Sequence, residues 1–534
     1  AFRLTNRITS WTRAAKMPKV AGVDVPNWCV AGAAVLTPAA IYAYLLRMSR
    51  QRRAFFADTP QPKETSAIFG GLETLAMLNT PDKTLAANRQ LYKELGSTWG
   101  VRLPKWLFPN HEFFLHTCDP TIIAEIQSKK DIFHSRPTGM VFDTTIPLGL
   151  LSLRSEGPQS QWAFHRRLVA PLFSDKFLLG YSEQVQEKAD LLRFILNERI
   201  KDAKSSEAEC DIQHCLKLAT LDVIGSIGFG FNSNALMTYL PEGHPRALSK
   251  AEAANELKFL EASMVLFLET QQRTGEPKLL RYLPHRFMRW WRTMRDLNKR
   301  IDEVLSSGKQ EGSKLNMLKA LQDAHEGDRK MSKAELTDEI LTLLEAGHET
   351  TGYTTSWALY EVARHPEVQE KILAETSAVD LDTLPLTNVQ SLLPYTWMVW
   401  QEALRLHPTV TIHYRQAEVD TTLGGKYKLP AGSIVTISQL MLAHSEEIWG
   451  PDAMSFSPER MEKGYPEMHM PFGFGGRTCI GKRLAYVEGV YLLAFLVKNF
   501  RLRVGGDAPV PTPYVTITHS AKEGIQLMMS RRSD

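Results

Sequence analysis

The sequence is poor in cysteine. Cys29, Cys118, Cys210, Cys215 and Cys479 are the only five in 534 residues. The number is odd and no Cys-x-x-Cys pair occurs. This speaks against zinc ribbons, dithiol redox motifs and a disulfide scaffold, and favours a reducing compartment. An excess of one charge is also missing, since 63 basic against 59 acidic residues leave a formal net charge of +4. No Lys/Arg block or basic-aromatic interleaving occurs, so nothing here points to nucleic acid. Internal repeats, low-complexity stretches and Asn-x-Ser/Thr sites are absent as well. What remains is a chain that is 43% hydrophobic, long enough to bury a large core.

Acidic residues are missing from the first 23 positions, which carry Arg3, Arg7, Arg13, Lys16 and Lys19. An apolar run from Trp28 to Leu46 follows, close to the ~20 residues that span a bilayer. Arg47, Arg50, Arg52 and Arg53 come directly after it. This pattern reads as a membrane anchor over 28–46. A transit peptide, or a buried or interfacial helix, are the competing readings. Thr59-Pro60-Gln61-Pro62 reads as a stiff connector. The expected division is a basic segment, anchor and linker over 1–64 and one large domain over 65–534.

Helical periodicity dominates that domain, with amphipathic patterns from Gln184 to Lys201 and from Lys250 to Thr270. Strand signals are short. Tyr427 to Ser438 flanks the turn Leu429-Pro430-Ala431-Gly432, Val515 to Met528 resembles a terminal hairpin, and Asp202 to Glu209 is charged and loop-like. The fold class expected is mainly α with small β-sheets (α+β).

One helix stands out. Ser332-Lys333-Ala334-Glu335 is a capping box, and the apolar pattern continues to Arg364, where His365-Pro366 ends it. About 30 residues give a rod on the order of 45 Å. Its centre holds Gly347, Thr350, Thr351, Gly352, Thr354 and Thr355, all poor helix formers. Such a centre fits either a functional kink or a crossing point that needs small side chains.

The most specific string is Phe472-Gly473-Phe474-Gly475-Gly476-Arg477-Thr478-Cys479-Ile480-Gly481, followed by an apolar helical pattern from Lys482 to Phe500. A cysteine in a Gly-rich loop before a helix is near backbone N–H groups and the positive helix end, which favour a thiolate. Inert packing of Cys479, or a phosphate-binding loop, are the plainer readings. The dinucleotide and Walker spacings are both absent from the loop.

The string resembles the haem-binding signature F-x-x-G-x-R-x-C-x-G of the cytochrome P-450 superfamily at every fixed position: Phe472, Gly475, Arg477, Cys479 and Gly481. Ala346-Gly347-His348-Glu349-Thr350-Thr351 resembles that family's oxygen-activation motif. Glu402-Ala403-Leu404-Arg405 resembles its E-x-x-R element, Pro458-Glu459-Arg460 its P-E-R segment, and Trp162 with Arg166 its W-x-x-x-R. The resemblance implies a long central helix over haem b (iron protoporphyrin IX), with the cysteine loop on the proximal side. It implies Cys479 as the axial thiolate and Glu349 and Thr350 as the proton supply for O2 activation. Trp162, Arg166, Arg477 and Arg415 would hold the haem propionates, and Glu402, Arg405 and Arg460 would form a buried structural network. Arg166, Arg167, Lys482 and Arg483 would line a basic face for an electron donor, unless they are simply solvated.

The resemblance further implies insertion of one oxygen atom from O2 into an apolar small molecule such as a fatty acid or an isoprenoid or sterol. Electrons would come from a separate protein, an NADPH-dependent flavoprotein reductase or, in a mitochondrion, a ferredoxin. Substrate-bordering segments would include 137–157, 343–351, 409–414 and 514–517. The expected location is the endoplasmic reticulum with the haem domain facing the cytosol, or alternatively a mitochondrial or plastid membrane. The alternatives are an O2-independent isomerase or dehydratase of lipid hydroperoxides and a non-enzymatic haem-binding protein.

Overall fold

The structure, a computed structural model, describes residues 19–20, 23–24, 43, 47, 55–63, 71–103, 113–137, 142, 145–203, 206–229, 234–240, 243–245, 247–274, 283–307, 317–506 and 509–532. The expected anchor over 28–46 lies outside the described residues except for position 43. Among the described residues, no helix is long and apolar enough to cross a membrane.

Helices carry most of the mass. They include α1 (Gln161–Val169), α2 (Asp175–Asp202), α3 (Ile212–Phe229), α4 (Lys250–Thr274), α5 (Pro284–Ser307), α6 (Lys333–Arg364), α7 (Pro394–Leu406) and α8 (Lys482–Asn499). Strands are short: β1 (Thr98–Arg102), β2 (Phe113–Thr117), β3 (Glu207–Asp211), β4 (Ile412–Gln416), β5 (Thr421–Leu423), β6 (Tyr427–Leu429), β7 (Ile434–Ser438), β8 (Phe500–Arg503), β9 (Pro513–Val515), β10 (His519–Ala521) and β11 (Gln526–Arg531). One four-stranded sheet runs β1-β2-β7-β4 and a three-stranded sheet runs β8-β11-β3, while β5/β6 and β9/β10 are separate hairpins. This is the expected α+β class.

Two strand expectations change and one is extended. The turn at Leu429–Gly432 separates β6 from β7 as expected; β6 pairs back onto β5 while β7 enters the large sheet between β2 and β4. β7 is buried along its whole length, as an interior Ile-Val-rich strand should be. The terminal hairpin is shorter than expected, β9 with β10, and β11 leaves it to pair with β8 and β3. Residues Glu207–Asp211 form a strand, because Ala208 and Cys210 alternate inward and meet β11.

Helix α6 is the axis of the core. Its capping box is present, with Glu335 N donating to Ser332 Oγ at 3.2 Å and Ser332 N donating to Glu335 Oε2 at 2.8 Å. The helix runs unbroken for 32 residues, and Leu341, Leu344 and Leu359 pack with Leu216 and Ile224 of α3 and Leu492 of α8 in one apolar cluster. The two glycines mark the crossing with α3. A Cβ on Gly347 would lie 2.9 Å from Ile224 Cγ1, and one on Gly352 would lie 3.2 Å from Lys217 Cα. Each Gly costs about 1 kcal/mol of helix propensity relative to Ala, which the close approach of two buried helices offsets. Thr220 Oγ1 of α3 also reaches the His348 carbonyl at 2.7 Å.

Candidate active site around Cys479

The cysteine loop is shaped by its glycines. Gly473 and Gly475 have φ of 73° and 64°, a region that a side chain disfavours. The resulting turns bring Cys479 N to the Phe472 carbonyl at 2.9 Å and Thr478 N to the Gly475 carbonyl at 3.1 Å. Gly481 then caps α8, whose apolar body anchors the loop in the core. Phe472 packs edge-on to Tyr486 of α8, 5.0 Å between centroids.

The Cys479 side chain has exposed surface, yet burial is the largest influence on its thiol and pushes its pKa up. Residue exposure and a dense surrounding thus coexist at Cys479. Backbone N–H groups of Gly481 and Lys482, and the charges of Arg166 and Arg136, pull the other way. These are the donors expected of a loop that holds a thiolate.

Four guanidiniums gather around this loop: Arg136, Arg166, Arg415 and Arg477. Arg477 donates to the carbonyls of Leu150 and Leu153 and to Ser155 Oγ, and stacks over Trp162 at 4.4 Å. Arg415, placed by β4, donates to the Tyr414 and Phe474 carbonyls at 2.8 and 2.9 Å. Arg166 of α1 donates to the Thr478 carbonyl at 3.0 Å, and Arg136 to the Leu151 carbonyl at 3.1 Å. Among the described residues none of the four has a carboxylate partner. Burial and mutual repulsion push the pKa of Arg477 and Arg415 down. Buried like charges without counter-ions call for an anionic ligand. Arg136 was not singled out from sequence; its only local mark is the Arg-Pro step, and the fold brings it here.

On α6, Glu349 is 5% exposed and fully engaged. Its Oε1 accepts from Lys217 Nζ at 2.7 Å and from Tyr353 OH at 3.2 Å, and its Oε2 accepts from Thr518 Oγ1 at 2.9 Å. Burial raises its pKa, but Lys217, His348 and these hydrogen bonds outweigh that and leave it lowered, so the carboxylate is ionised. Neighbouring Glu345 is the opposite case: burial pushes it up, with Ser263 Oγ donating to Oε1 at 2.7 Å. Thr350 is half-buried, and its hydroxyl donates to the Ala346 carbonyl at 2.9 Å. This is the back-bond a helical threonine makes by default. Lys217 and Thr518 were also missed from sequence.

Glu402, Arg405 and Arg460 meet away from the cysteine loop. Arg405 and Glu402 of α7 are both fully buried, and Arg405 also donates to the Ala443 and Ala453 carbonyls at 2.6 and 2.7 Å. Arg460 Nε lies 3.4 Å from Glu402 Oε1, and its Nη2 lies 2.8 Å from Asp452 Oδ2. On the outer surface, Arg167 pairs with Glu326 at 2.9 Å and Arg483 pairs with Asp175.

A family model described as Cytochrome P450 matches residues 60–527. The chain belongs to the cytochrome P450 family. It is 25% identical over 453 residues to cytochrome P450 4c21 of Blattella germanica, covering 80% of this chain and 85% of that one. To human cytochrome P450 4F8 it is 26% identical, over 88% of this chain and 89% of the relative. A Bacillus subtilis protein named bifunctional cytochrome P450/NADPH–P450 reductase 2 is 30% identical over 68% of this chain, which corresponds to 34% of that longer protein.

As a P450 the chain is a haem-thiolate monooxygenase, and the family's cofactor is haem. The residues present fit it: a cysteine with exposed surface in a glycine-shaped loop, and the buried guanidiniums of Arg415 and Arg477, which have no carboxylate partner among the described residues and suit a ligand with two carboxylates.

Proposed function

We propose that this P450 hydroxylates an apolar lipid-like substrate, a fatty acid or an isoprenoid or sterol, with electrons from a separate NADPH-dependent reductase. The observation that carries the reading is the cysteine sulfur placed among four guanidiniums that have no carboxylate partner among the described residues. Haem bound through Cys479 supplies the chemistry of dioxygen activation and O–O cleavage. Arg136, Arg166, Arg415 and Arg477 hold its propionates, with Trp162 stacked on Arg477 to fix that guanidinium's plane. Glycines 475 and 481 and the ring of Phe472 shape the loop that presents the sulfur.

Glu349 and Thr350 supply protons from this chain. Glu349 takes up a proton at a carboxylate oxygen on exchanging its Lys217 contact for water. Thr350, on releasing the Ala346 carbonyl, uses Oγ1 to orient a water and pass the proton on. Glu402, Arg405 and Arg460 keep the fold behind the cysteine loop rigid and take no part in the chemistry.

Apolar recognition is supported by Phe142 and Leu150, both buried, and by half-buried Leu148, Leu151, Val410 and Ile412 in the segments expected to border substrate. The fused reductase of the Bacillus relative supports a flavoprotein donor that uses NADPH. Anchoring through 28–46 to the endoplasmic reticulum, or to a mitochondrial or plastid membrane, completes the proposal. Feeding the purified protein a reductase, NADPH, isotope-labelled dioxygen and a lipid panel tests it. One labelled oxygen atom in a lipid product is expected. Turnover of lipid hydroperoxides without dioxygen would overturn the reading.

A further inference from the structure

The Glu349 carboxylate is held from three directions, and one of the three donors comes from outside the helical core. Hairpin β9/β10 is pinned on several sides. Val515 N donates to the Pro81 carbonyl at 2.9 Å, His519 N to the Thr409 carbonyl at 2.8 Å, and Gln213 of α3 exchanges two hydrogen bonds with the Ala521 backbone at 2.8 and 2.9 Å. At its tip Thr516 N donates to the Thr518 carbonyl at 2.9 Å, closing a tight turn. This turn aims the 2% exposed Thr518 hydroxyl at Glu349 Oε2, 2.9 Å away. Gln213 and Lys217 lie one helical turn apart on α3, so the same helix that fixes the hairpin also brings Lys217 Nζ to Oε1.

We propose that Thr518 is a positioning residue that orients Glu349 and holds it in its ionised form through a hydrogen bond from the tip of the terminal hairpin. The inference rests on the reading of Glu349 as proton supplier. A hydroxyl donor to a buried carboxylate stabilises its charged form, and Thr518 acts on Glu349 in that direction. The other titratable groups facing Glu349 are Lys217 from α3 and Glu345, His348 and Tyr353 from α6. Lys217 favours its charge, and His348 does so only when protonated, below about pH 4. Burial pushes the Glu345 carboxyl up, against its charged form. Tyr353 donates to the oxygen that Lys217 already holds. Among the described residues Oε2 therefore depends on Thr518, and the hairpin sets which way the acid faces. Residues 514–517 just before Thr518 are those expected to border substrate, which puts the acid's holder next to the substrate's position.

The test uses the full-length holoprotein and infrared titration of the neutral-carboxyl band of Glu349, assigned by its loss in Glu349→Gln. In Thr518→Val the band should appear at a pH higher by about one unit or more, since a hydrogen bond to a charged group is lost. Thr518→Ser should return it to the wild-type position, and Thr518→Ala should show the same upward shift and stands in for Thr518→Val should the valine variant fold poorly. With reductase and NADPH, the fraction of electrons lost to hydrogen peroxide should rise severalfold in Thr518→Val and recover in Thr518→Ser. An unshifted band in both Val and Ala variants would overturn the role of Thr518. Undiminished coupling in Glu349→Gln, with the band still shifted by Thr518→Val, would overturn only the proton-supply reading beneath it.

Discussion

Arg405 and Glu402 meet fork to fork: Nε and Nη2 of the guanidinium each lie 2.7 Å from a different carboxylate oxygen, and neither side chain has any exposure. A pair removed this completely from water is costly to break from one side. Glu402→Gln or Arg405→Leu should lower stability by about 3–5 kcal/mol. Denaturant unfolding of the haem-loaded protein measures it, and a loss under about 1 kcal/mol would place the pair among ordinary surface ion pairs.

The four guanidiniums give an expectation with two signs. In haem-free protein, Arg136→Met should be neutral or stabilising, because it relieves repulsion from Arg166, Arg415 and Arg477. The same change should weaken haem binding about tenfold or more through loss of a charge-assisted contact. Haem transfer to a high-affinity scavenger and thermal melts of both forms read the two effects. A haem-free protein destabilised as strongly as the haem-loaded form would show Arg136 to be a plain packing residue.

Thr350→Ala removes a hydroxyl that, among the described residues, bonds only the Ala346 carbonyl, so haem content and folding should be unchanged. Its effect should appear in electron accounting, with more hydrogen peroxide formed per NADPH consumed. Full coupling in the variant would leave the hydroxyl as helix decoration.

Two crowded histidines set a pH window. Desolvation lowers buried His348 and half-buried His413 to about 4 from an ordinary 6.5. The unfolded chain therefore binds protons that the folded chain refuses between those values. Their contribution to stability is complete above pH ~6.5 and is lost as the pH falls toward ~4. Melting temperature should decline over that range, less steeply in His413→Asn. A flat profile between pH 7 and 5 would contradict the desolvation of these rings.

Much of this site was legible in the sequence because its chemistry is local. Ser332 and Glu335 sit three residues apart, and Cys479 shares its loop with the glycines that shape it. The glycines of α6 were legible as an anomaly but ambiguous in meaning, and contact with Ile224 and Lys217 assigns them to a helix crossing. Arg136, Lys217 and Thr518 reach their places through long-range packing, so spacing alone does not mark them. Lys217 did leave a trace, as a lone cation within the buried stretch from Cys215 to Gly225. The β3 strand was also readable in hindsight, from the alternation of Ala208 and Cys210 with charged neighbours. Its acidic composition masked a period of two. The fate of β7 and β11 was not readable, since which sheet a strand joins depends on partners hundreds of residues away.

The account depends on a sulfur–iron bond at Cys479, and the absorption spectrum of the reduced, carbon-monoxide-treated protein tests it most directly. Wild type should show the strongly red-shifted band of a thiolate-ligated haem, and Cys479→Ala should lose it while remaining folded. A folded wild-type protein whose spectrum is that of histidine-ligated haem, or one unchanged by Cys479→Ala, would contradict it.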